Sequence, residues 1–379
     1  MSRQSESIRL ILFFSRYVSL QTWDEIGMFD REIALYQKYQ ERGIKISFLT
    51  YGDKRELQYS PRIPVIEILC NVWWKWGLPG RVYAALTPIL HASAIKKADV
   101  IKTNQMSGAD IALRAARMWN KPLIARCGYM FSDHVAYQYG DGSSHARKAR
   151  KLEQHVFKSA DRIIVTTDQM QADIESRLPD CHEKIDVIPN YVETDRFFHI
   201  DKKKECDILF IGRLSNQKNP TAFLEAVKKI KAQVVMIGNG PLEKELKEKY
   251  ENMNGRLEWK GNVPNIKLPD YMNISKLFVL PSHYEGHPKT LIEAMSCGMP
   301  VIGADSPGIR EVIRHGENGW LCGTDADSIS QAIQHLLENP DLAQRLGDNA
   351  RQFVLQNYAL EDIVEKELKV IKKVAMVEN

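Results

Sequence analysis

Short apolar runs and amphipathic stretches alternate along most of the chain. Residues 8–15 form an apolar run of strand length, broken by Arg9. Residues 28–42 place apolar side chains at helical spacing and stop at Gly43, a residue suited to closing a helix. The alternation continues with strands predicted at 46–50, 99–103, 122–126, 162–166 and 185–188, and helices at 108–119, 145–159 and 169–177. After the polar run Asp-Lys-Lys-Lys-Glu at 201–205 the pattern begins again. Strands are predicted at 207–211, 233–237, 257–260 and 277–280, with helices at 221–230 and 242–250. Strands alternating with helices predict parallel sheets in doubly wound α/β domains. The expected division is a Rossmann-like domain over 1–200 and a second over 201–357, with 201–205 as linker. Residues 358–379 form a terminal helix with Leu360, Ile363, Val364, Leu368 and Ile371 on one face. By pattern alone it either packs back on the first domain or caps the second.

In open α/β sheets the ligand sits at the carboxyl ends of the strands. Three strands of the second half run straight into glycine or turn signals: Ile211-Gly212-Arg213, Ile237-Gly238-Asn239-Gly240-Pro241 and Leu280-Pro281-Ser282. These loops are expected to border one pocket. The last opens the segment P-S-H-Y-E-G-H-P-K-T-L-I-E-A-M-S-C-G-M-P-V-I, which carries Glu285 and Glu293. Pro288 is expected at the first helical position, where its missing N–H costs nothing, and Gly298 and Pro300 stop the helix. One carboxylate then lies on the loop and one in the helix, beside the N–H groups that a helix start leaves without helical partners. Anion-binding amides flanked by two hydroxyl-binding carboxylates suit a sugar–diphosphate ligand.

The 379 residues suffice for two domains with full cores, and 44% apolar with 26% charged residues is ordinary for a soluble globular chain. The start M-S-R-Q-S-E-S is polar, and the apolar run after it is far shorter than the roughly 20 residues that span a bilayer. Six scattered cysteines without a C-x-x-C pair favour reduced thiols over disulfides or a zinc site. A cytoplasmic protein is expected. The net charge of +4 hides an asymmetry: residues 53–160 hold 17 Lys and Arg against 8 Asp and Glu, so the rest of the chain is net negative. Such a basic segment either attracts an anionic membrane or substrate, or is plain solvated surface. Within it, N-V-W-W-K-W-G-L-P-G-R at 71–81 sets three tryptophans around a lysine, which suits a membrane interface or packing in the first domain.

Arg213 and Lys218 lie in G-R-L-S-N-Q-K-N-P just after a strand. An arginine fork and a lysine point charge there make a phosphate clamp, and the alternative is two solvated loop residues. The preceding glycine and the similar loop after the next strand favour the clamp. Asp325-Ala326-Asp327 has the D-x-D shape of metal-dependent transferases, but it precedes a helical run, so helix capping is expected. Gly140-Asp141-Gly142-Ser143-Ser144 follows no clear strand and reads as a flexible loop. No cofactor and no metal are expected, and nucleic acid is not an expected partner. Neither half shows G-x-G-x-x-G after its first strand, which speaks against a dinucleotide-dependent dehydrogenase.

G-R-L-S-N-Q-K-N-P, G-N-G-P, the segment holding Glu285 and Glu293, and S-P-G-I-R-E-V-I-x-x-G-E-N-G together resemble the retaining nucleotide-sugar glycosyltransferases of family 4, the group 1 glycosyl transferases. The resemblance covers nearly all of residues 185–355. It implies the GT-B fold, two Rossmann-like domains facing a central cleft, with the donor mainly on the second and the acceptor mainly on the first. It implies metal-independent, retaining transfer of a hexosyl group from a UDP- or GDP-linked sugar to an acceptor hydroxyl, the departing phosphate assisting removal of the acceptor proton. Arg213 and Lys218 would neutralise the leaving diphosphate, with Gly212 in the same loop. Glu285 would face the transferred sugar, and Glu293 would hold the ribose. The backbone of His287, Pro288, Lys289, Thr290 and Leu291 would meet the sugar and distal phosphate, Pro288 without an N–H. Val263, in G-N-V-P, would contact the base. Enzymes of this class often act on lipid-linked glycans or polysaccharide precursors, which would place the chain peripherally on the inner face of the membrane.

The first half departs from the family pattern. The usual double glycine after the first strand is reduced to Gly27 in T-W-D-E-I-G-M-F-D-R-E; its amide, before a helix, remains a candidate anion contact. Residues 122–126 are followed by Cys127-Gly128-Tyr129, without the family's frequent histidine, and His134 comes only later. These departures leave the acceptor side open. An epimerase or phosphorylase on the same fold, and a donor-binding protein without turnover, remain as alternatives.

Overall fold

The structure, a computed structural model, describes residues 7–73, 78–251, 253 and 255–376, and all elements and contacts below belong to these residues. The chain runs β1 (Arg9–Phe13), α1 (Leu20–Glu25), α2 (Phe29–Glu41), β2 (Lys45–Asp53), β3 (Glu67–Asn71), α3 (Gly80–Leu90), α4 (Ala92–Lys97) and β4 (Val100–Thr103). It continues through α5 (Ala109–Trp119), β5 (Leu123–Cys127), α6 (Phe131–Tyr139), α7 (Ser144–Ser159), β6 (Arg162–Val165), α8 (Asp168–Arg177) and β7 (Ile185–Val187). Next come β8 (Cys206–Ile211), α9 (Pro220–Lys228), β9 (Val234–Ile237), α10 (Glu243–Tyr250), β10 (Leu257–Trp259), α11 (Leu268–Ile274) and β11 (Ser275–Leu280). The last elements are α12 (Lys289–Ser296), β12 (Val301–Ala304), β13 (Trp320–Cys322), α13 (Ala326–Glu338), α14 (Pro340–Asn357) and α15 (Leu360–Ala375).

Two compact units result, Met1–Pro189 with Ile363–Asn379, and Asn190–Asp362. The first holds a seven-stranded sheet in the order β3-β2-β1-β4-β5-β6-β7, the second a six-stranded sheet in the order β10-β9-β8-β11-β12-β13. Every strand pair is parallel. Helices on both faces of a parallel sheet bury its strands twice over, which is why β1, β8 and β11 hold unbroken apolar runs of four residues. The strand order reverses direction between β1 and β4 and again between β8 and β11, the positions where doubly wound sheets leave a crevice at their carboxyl edge.

Local signals set the helix starts. Ser19, Ser143, Thr167 and Asp325 each accept a hydrogen bond from a backbone N–H of the first turn of α1, α7, α8 and α13. Asp325 is therefore a helix cap. The Gly140–Ser144 stretch, read as a flexible loop, also leads into a cap at Ser143, and its carbonyls at Asp141 and Gly142 accept from Arg150 and Arg147.

The division into units differs from the expected one. The first unit ends at Pro189, not at 200. The polar run 201–205 is no linker, because it is tied down within the second unit: Glu205 N donates to Ile274 O at 2.8 Å, Lys204 Nζ to Asn273 O at 2.9 Å, and Lys202 pairs with Asp270 at 3.1 Å. Polarity marked these residues as exposed without showing that their backbone is held. The terminal helix α15 joins the first unit, and Arg42 of α2's C-cap meets Glu365 at 3.1 Å.

What fixes α15 is charge. Glu367, 1% exposed, lies in the same stripe as Ile363, Val364, Leu368 and Ile371. Its carboxylate accepts from Lys102 of β4 and from the Tyr39 hydroxyl of α2, and Arg126 of β5 stands 3.7 Å away. Lys102 is fully buried, and its ammonium also reaches the Tyr39 hydroxyl at 3.3 Å. Burial raises the carboxyl pKa, but Lys102, Arg126 and the two hydrogen bonds outweigh it and hold Glu367 below its ordinary value. Burial, aided by Arg126, draws Lys102 below the usual ammonium range, with Glu367 opposing.

Replacing one member should leave uncompensated charge in the core. Glu367→Ala is expected to lose about 3–5 kcal/mol of unfolding free energy in urea, with Lys102→Met/Glu367→Leu recovering most of it. Because the folded pKa of Glu367 is depressed, its stabilisation is complete above the unfolded carboxyl pKa and is lost as pH falls through the folded value. The wild-type urea midpoint should therefore fall on acidification more steeply than that of Glu367→Gln.

Candidate active site

The carboxyl edge of the second sheet is built from loops that hydrogen-bond one another. After β8 the chain passes Gly212, exposed Arg213 and buried Leu214, makes a short 3-10 turn over Asn216–Lys218, and begins α9 with Asn219 in the left-handed region. This turn grips the loop after β11. Gln217 accepts from His283 N at 2.9 Å through its carbonyl and donates its Nε2 to Tyr284 O at 3.0 Å. Asn219 Nδ2 donates to Pro281 O at 3.2 Å and to Thr324 O at 2.7 Å. Lys218 Nζ meets Glu285 Oε1 at 2.5 Å, with the glutamate side chain 8% exposed and the lysine 19%.

On its other side the β11 loop rests on Ser306-Pro307-Gly308. Ser306 Oγ donates to Ser282 O at 2.8 Å, and Glu285 N donates to Pro307 O at 2.9 Å. The approach needs a glycine: Gly308 has φ +80°, and a Cβ there would lie 2.4 Å from the Glu285 carbonyl oxygen. The G-N-G loop after β9 obeys the same rule. A Cβ on Gly238 would lie 2.1 Å from the Gly212 carbonyl oxygen, so this motif exists to let the loop carrying Arg213 pass. The Gly212 amide donates to Ile237 O at 3.0 Å, which makes Gly212 a structural link between these loops.

Pro288 is the residue before α12, one position earlier than expected, and the first helical residue is Lys289. The N-cap residue, Pro288, supplies no side-chain cap to the first turn of this helix. Glu293 is 1% exposed and its Oε1 accepts from Asn265 Nδ2 at 2.9 Å. Val263 is half-buried against the core cluster that contains Leu268 and Leu291. The backbone carbonyl of buried His287 accepts from Asn190 Nδ2 at 2.6 Å, and its ring meets Tyr358 edge-on at 4.6 Å.

Three positioning residues, Gln217, Asn219 and Asn265, were not foreseen. Polar side chains in loops read as solvated, and only the fold shows that Gln217 and Asn219 face carbonyls of other loops and that Asn265 faces the Glu293 carboxylate of α12. Lys218 differs in immediate role from a free phosphate clamp, since Glu285 already pairs with it.

In the first unit, the amide of Gly27, a candidate anion contact by sequence, is engaged within the fold. With φ +74° Gly27 closes α1: its amide donates to Asp24 O at 2.9 Å and the next amide, of Met28, to Trp23 O at 2.7 Å. Cys127 is fully buried, its thiol raised well above the ordinary value mainly by burial, and its Sγ donates to Tyr129 O at 3.1 Å. It is not a reactive thiolate. A cavity of about 620 Å³ opens at the β1/β4 reversal, with Arg16, Ser107, Tyr129, His134, His145 and Lys148 in its lining. Arg16 is held there by both carboxylate oxygens of Asp110, at 2.6 and 2.7 Å.

Residues 192–353 match the family model for glycosyl transferases group 1, and residues 33–196 match the model for glycosyltransferase family 4. The chain belongs to the family 4 glycosyltransferases. Among curated relatives, this glycosyltransferase is 27% identical over 297 residues to the UDP-Gal:alpha-D-GlcNAc-diphosphoundecaprenol alpha-1,3-galactosyltransferase of Escherichia coli, covering 72% of this chain and 74% of that one. It is 34% identical over 149 residues to the N-acetyl-alpha-D-glucosaminyl L-malate synthase of Bacillus anthracis, spanning only 38% of either chain. The solved sucrose-phosphate synthase of Thermosynechococcus elongatus superposes with a TM-score of 0.81 at 20% identity, covering 98% of this chain and all of that one. Anabaena HepE in complex with UDP-glucose gives 0.75 at 17%, covering 96% and 99%. Both likenesses show the two-domain GT-B fold of the glycosyltransferase.

Gly308→Ala combines a left-handed backbone with a collision, whereas Gly316, at φ +76°, has nothing within 4 Å of its Cβ position. Gly316→Ala is expected to cost about 1 kcal/mol, and Gly308→Ala roughly 2–3 kcal/mol by denaturant unfolding.

Proposed function

We propose that this glycosyltransferase moves a hexosyl group from a UDP-linked sugar to an acceptor hydroxyl with retention at the anomeric carbon and without a metal. The observation that carries the reading is the Lys218–Glu285 pair at a strand-order reversal, Lys218 sharing the β8 loop with exposed Arg213 and Glu285 lying on the β11 loop that leads into α12. A diphosphate entering this edge would meet Arg213, Lys218 and the α12 amides, which together neutralise charge developing on the leaving phosphate. Glu285, released in part from Lys218, would then accept from the sugar hydroxyls. Glu293, already oriented by Asn265, would hold the ribose. The C1–O bond to the phosphate breaks and the acceptor oxygen bonds C1 on the same face, while the acceptor proton passes to the departing phosphate oxygen.

Among the described residues no three His, Cys, Asp or Glu side chains group as a metal cage would. Charge neutralisation is assigned to Arg213, Lys218 and the α12 amides because they stand on the edge where the diphosphate would enter. The UDP choice draws on the donor named for the Escherichia coli relative and on the UDP-glucose held by the Anabaena neighbour. The acceptor is proposed to be a lipid-linked glycan, like the diphosphoundecaprenol compound in that relative's name, bound at the first unit's cavity. A peripheral position on the inner membrane face follows from such an acceptor, and no described helix is long and apolar enough to cross a membrane.

Thermal denaturation against UDP- and GDP-sugars should show a higher melting temperature with UDP-hexoses. No shift with any of them at millimolar concentration would refute the donor site. In transfer assays Arg213→Ala and Glu285→Gln are each expected to lower kcat by about 10²–10³-fold. A donor-dependent shift with no product from any lipid-linked acceptor would instead mark a donor-binding protein without turnover.

A further inference from the structure

The sequence of α3, G-R-V-Y-A-A-L-T-P-I-L, holds one charged residue, Arg81. Its inward face buries Tyr83, Ala84, Thr87 and Pro88. Its outward face is apolar as well. Val82, Leu86 and Ile89 are 44%, 39% and 58% exposed, and exposed Ala85 completes the i, i+3, i+4, i+7 stripe. A helix on a water-facing surface ordinarily carries its charges there, as α7 does with Arg147, Lys148 and Lys151. The stripe continues beyond the helix. Trp73, 43% exposed, sets its ring edge-on at 4.9 Å to His91, the residue that ends α3. Trp74 and Trp76 of the tryptophan stretch lie outside the described residues. Val65, 73% exposed, shares a groove with Leu90 and Lys97.

Cations rim this face. Arg114 of α5 donates to the Ala84 carbonyl at 3.0 Å, which fixes its guanidinium against α3. Lys96 lies 4.2 Å over the Trp119 ring, whose Nε1 donates to Pro88 O at 2.7 Å. Lys97 and Arg81 are exposed. The acids of this stretch are occupied elsewhere: Asp99 accepts from Arg9 N at 2.7 Å, and Asp110 pairs with Arg16.

We infer that the outward face of α3 docks on an anionic lipid bilayer, with Val82, Leu86 and Ile89 entering the interface and the cationic rim meeting lipid phosphates. An apolar stripe on a helix that itself carries no acid, flanked by Lys and Arg, is the arrangement that binds in a headgroup layer, and Glu67, in the groove with Val65 and Lys97, accepts from Ser47 Oγ at 2.6 Å. A second copy of the chain would bring two cationic rims together, which repel. This rests on the membrane position proposed above. Its test uses neither donor nor acceptor, so failure of the sugar-transfer reading leaves it standing.

The test is co-sedimentation of the full chain with vesicles of phosphatidylcholine alone and with added phosphatidylglycerol. Binding is expected only to the anionic vesicles, and weaker as salt rises. Leu86→Glu/Ile89→Glu should lower the partition coefficient at least about tenfold without moving the melting temperature, since both residues are exposed. Lys96→Ala and Lys97→Ala should each lower it about fivefold. Lys244→Ala, at a 90% exposed site in the second unit, should leave it unchanged. Equal binding to both vesicle types, or full binding by Leu86→Glu/Ile89→Glu, would overturn the inference. So would a lipid-free dimer, seen by analytical ultracentrifugation, that Leu86→Glu dissociates.

Discussion

The 2.5 Å ion pair between Lys218 and Glu285 joins the loops that follow β8 and β11, and the candidate site depends on those loops staying in contact. In a parallel sheet the strand ends gather on one edge, and the connections there have no ladder to satisfy their polar groups. They satisfy one another instead. Gln217 and Asn219 bind the β11 loop from one side, and Ser306 and Pro307 from the other. Glycines at 238 and 308 remove the side chains that would hold the backbones apart. The result is an edge on which Lys218, two carboxylates and a helix start are held by neighbouring loops, with Arg213 exposed beside them. For the proposed group transfer such loops matter, because Lys218 and Glu285 would need only to exchange part of their mutual contact for groups of the donor.

The first unit has its own organising charge. Glu367 enters the core on the last helix and meets Lys102, Arg126 and Tyr39 from two strands and a helix. A buried carboxylate between two cations is not obviously more stable than apolar packing would be. It does make alternative seats for α15 costly, since any of them would take the Glu367 carboxylate away from fully buried Lys102. The terminal helix is thereby committed to the first unit, although nearly all the residues immediately before it belong to the second. The strands it joins, β4 and β5, end beside the cavity that is the proposed acceptor site.

Much of this could be read from the chain. The helix expected at 28–42 is Phe29–Glu41, and the strand expected at 99–103 is Val100–Thr103, because an amphipathic period and a doubly buried run each leave a plain signature. The stretch between 51 and 98 was opaque for a physical reason. It contains α3, whose two apolar faces erase the period that marks a surface helix. The run 201–205 misled in the opposite sense, its charges hiding the backbone bonds that anchor it. The chemical residues Arg213, Lys218, Glu285 and Glu293 stood out through the glycines and prolines around them. Gln217, Asn219 and Asn265 did not, since nothing local shows which carbonyl a loop amide will face.

By itself the sequence determined the alternation of strands and helices, the two parallel sheets and the loops that bear the candidate chemistry. These follow from period, propensity and turn residues, all short-range properties. Tertiary structure alone decided that Gly27 closes a helix, that Lys218 is paired with Glu285, that Glu367 belongs to a buried charge cluster, and that α3 turns an apolar face outward. Each of these depends on which distant segment lies alongside. Lys102 and Glu367 are far apart in the chain, and only packing brings their charges together, where burial makes the pairing obligatory.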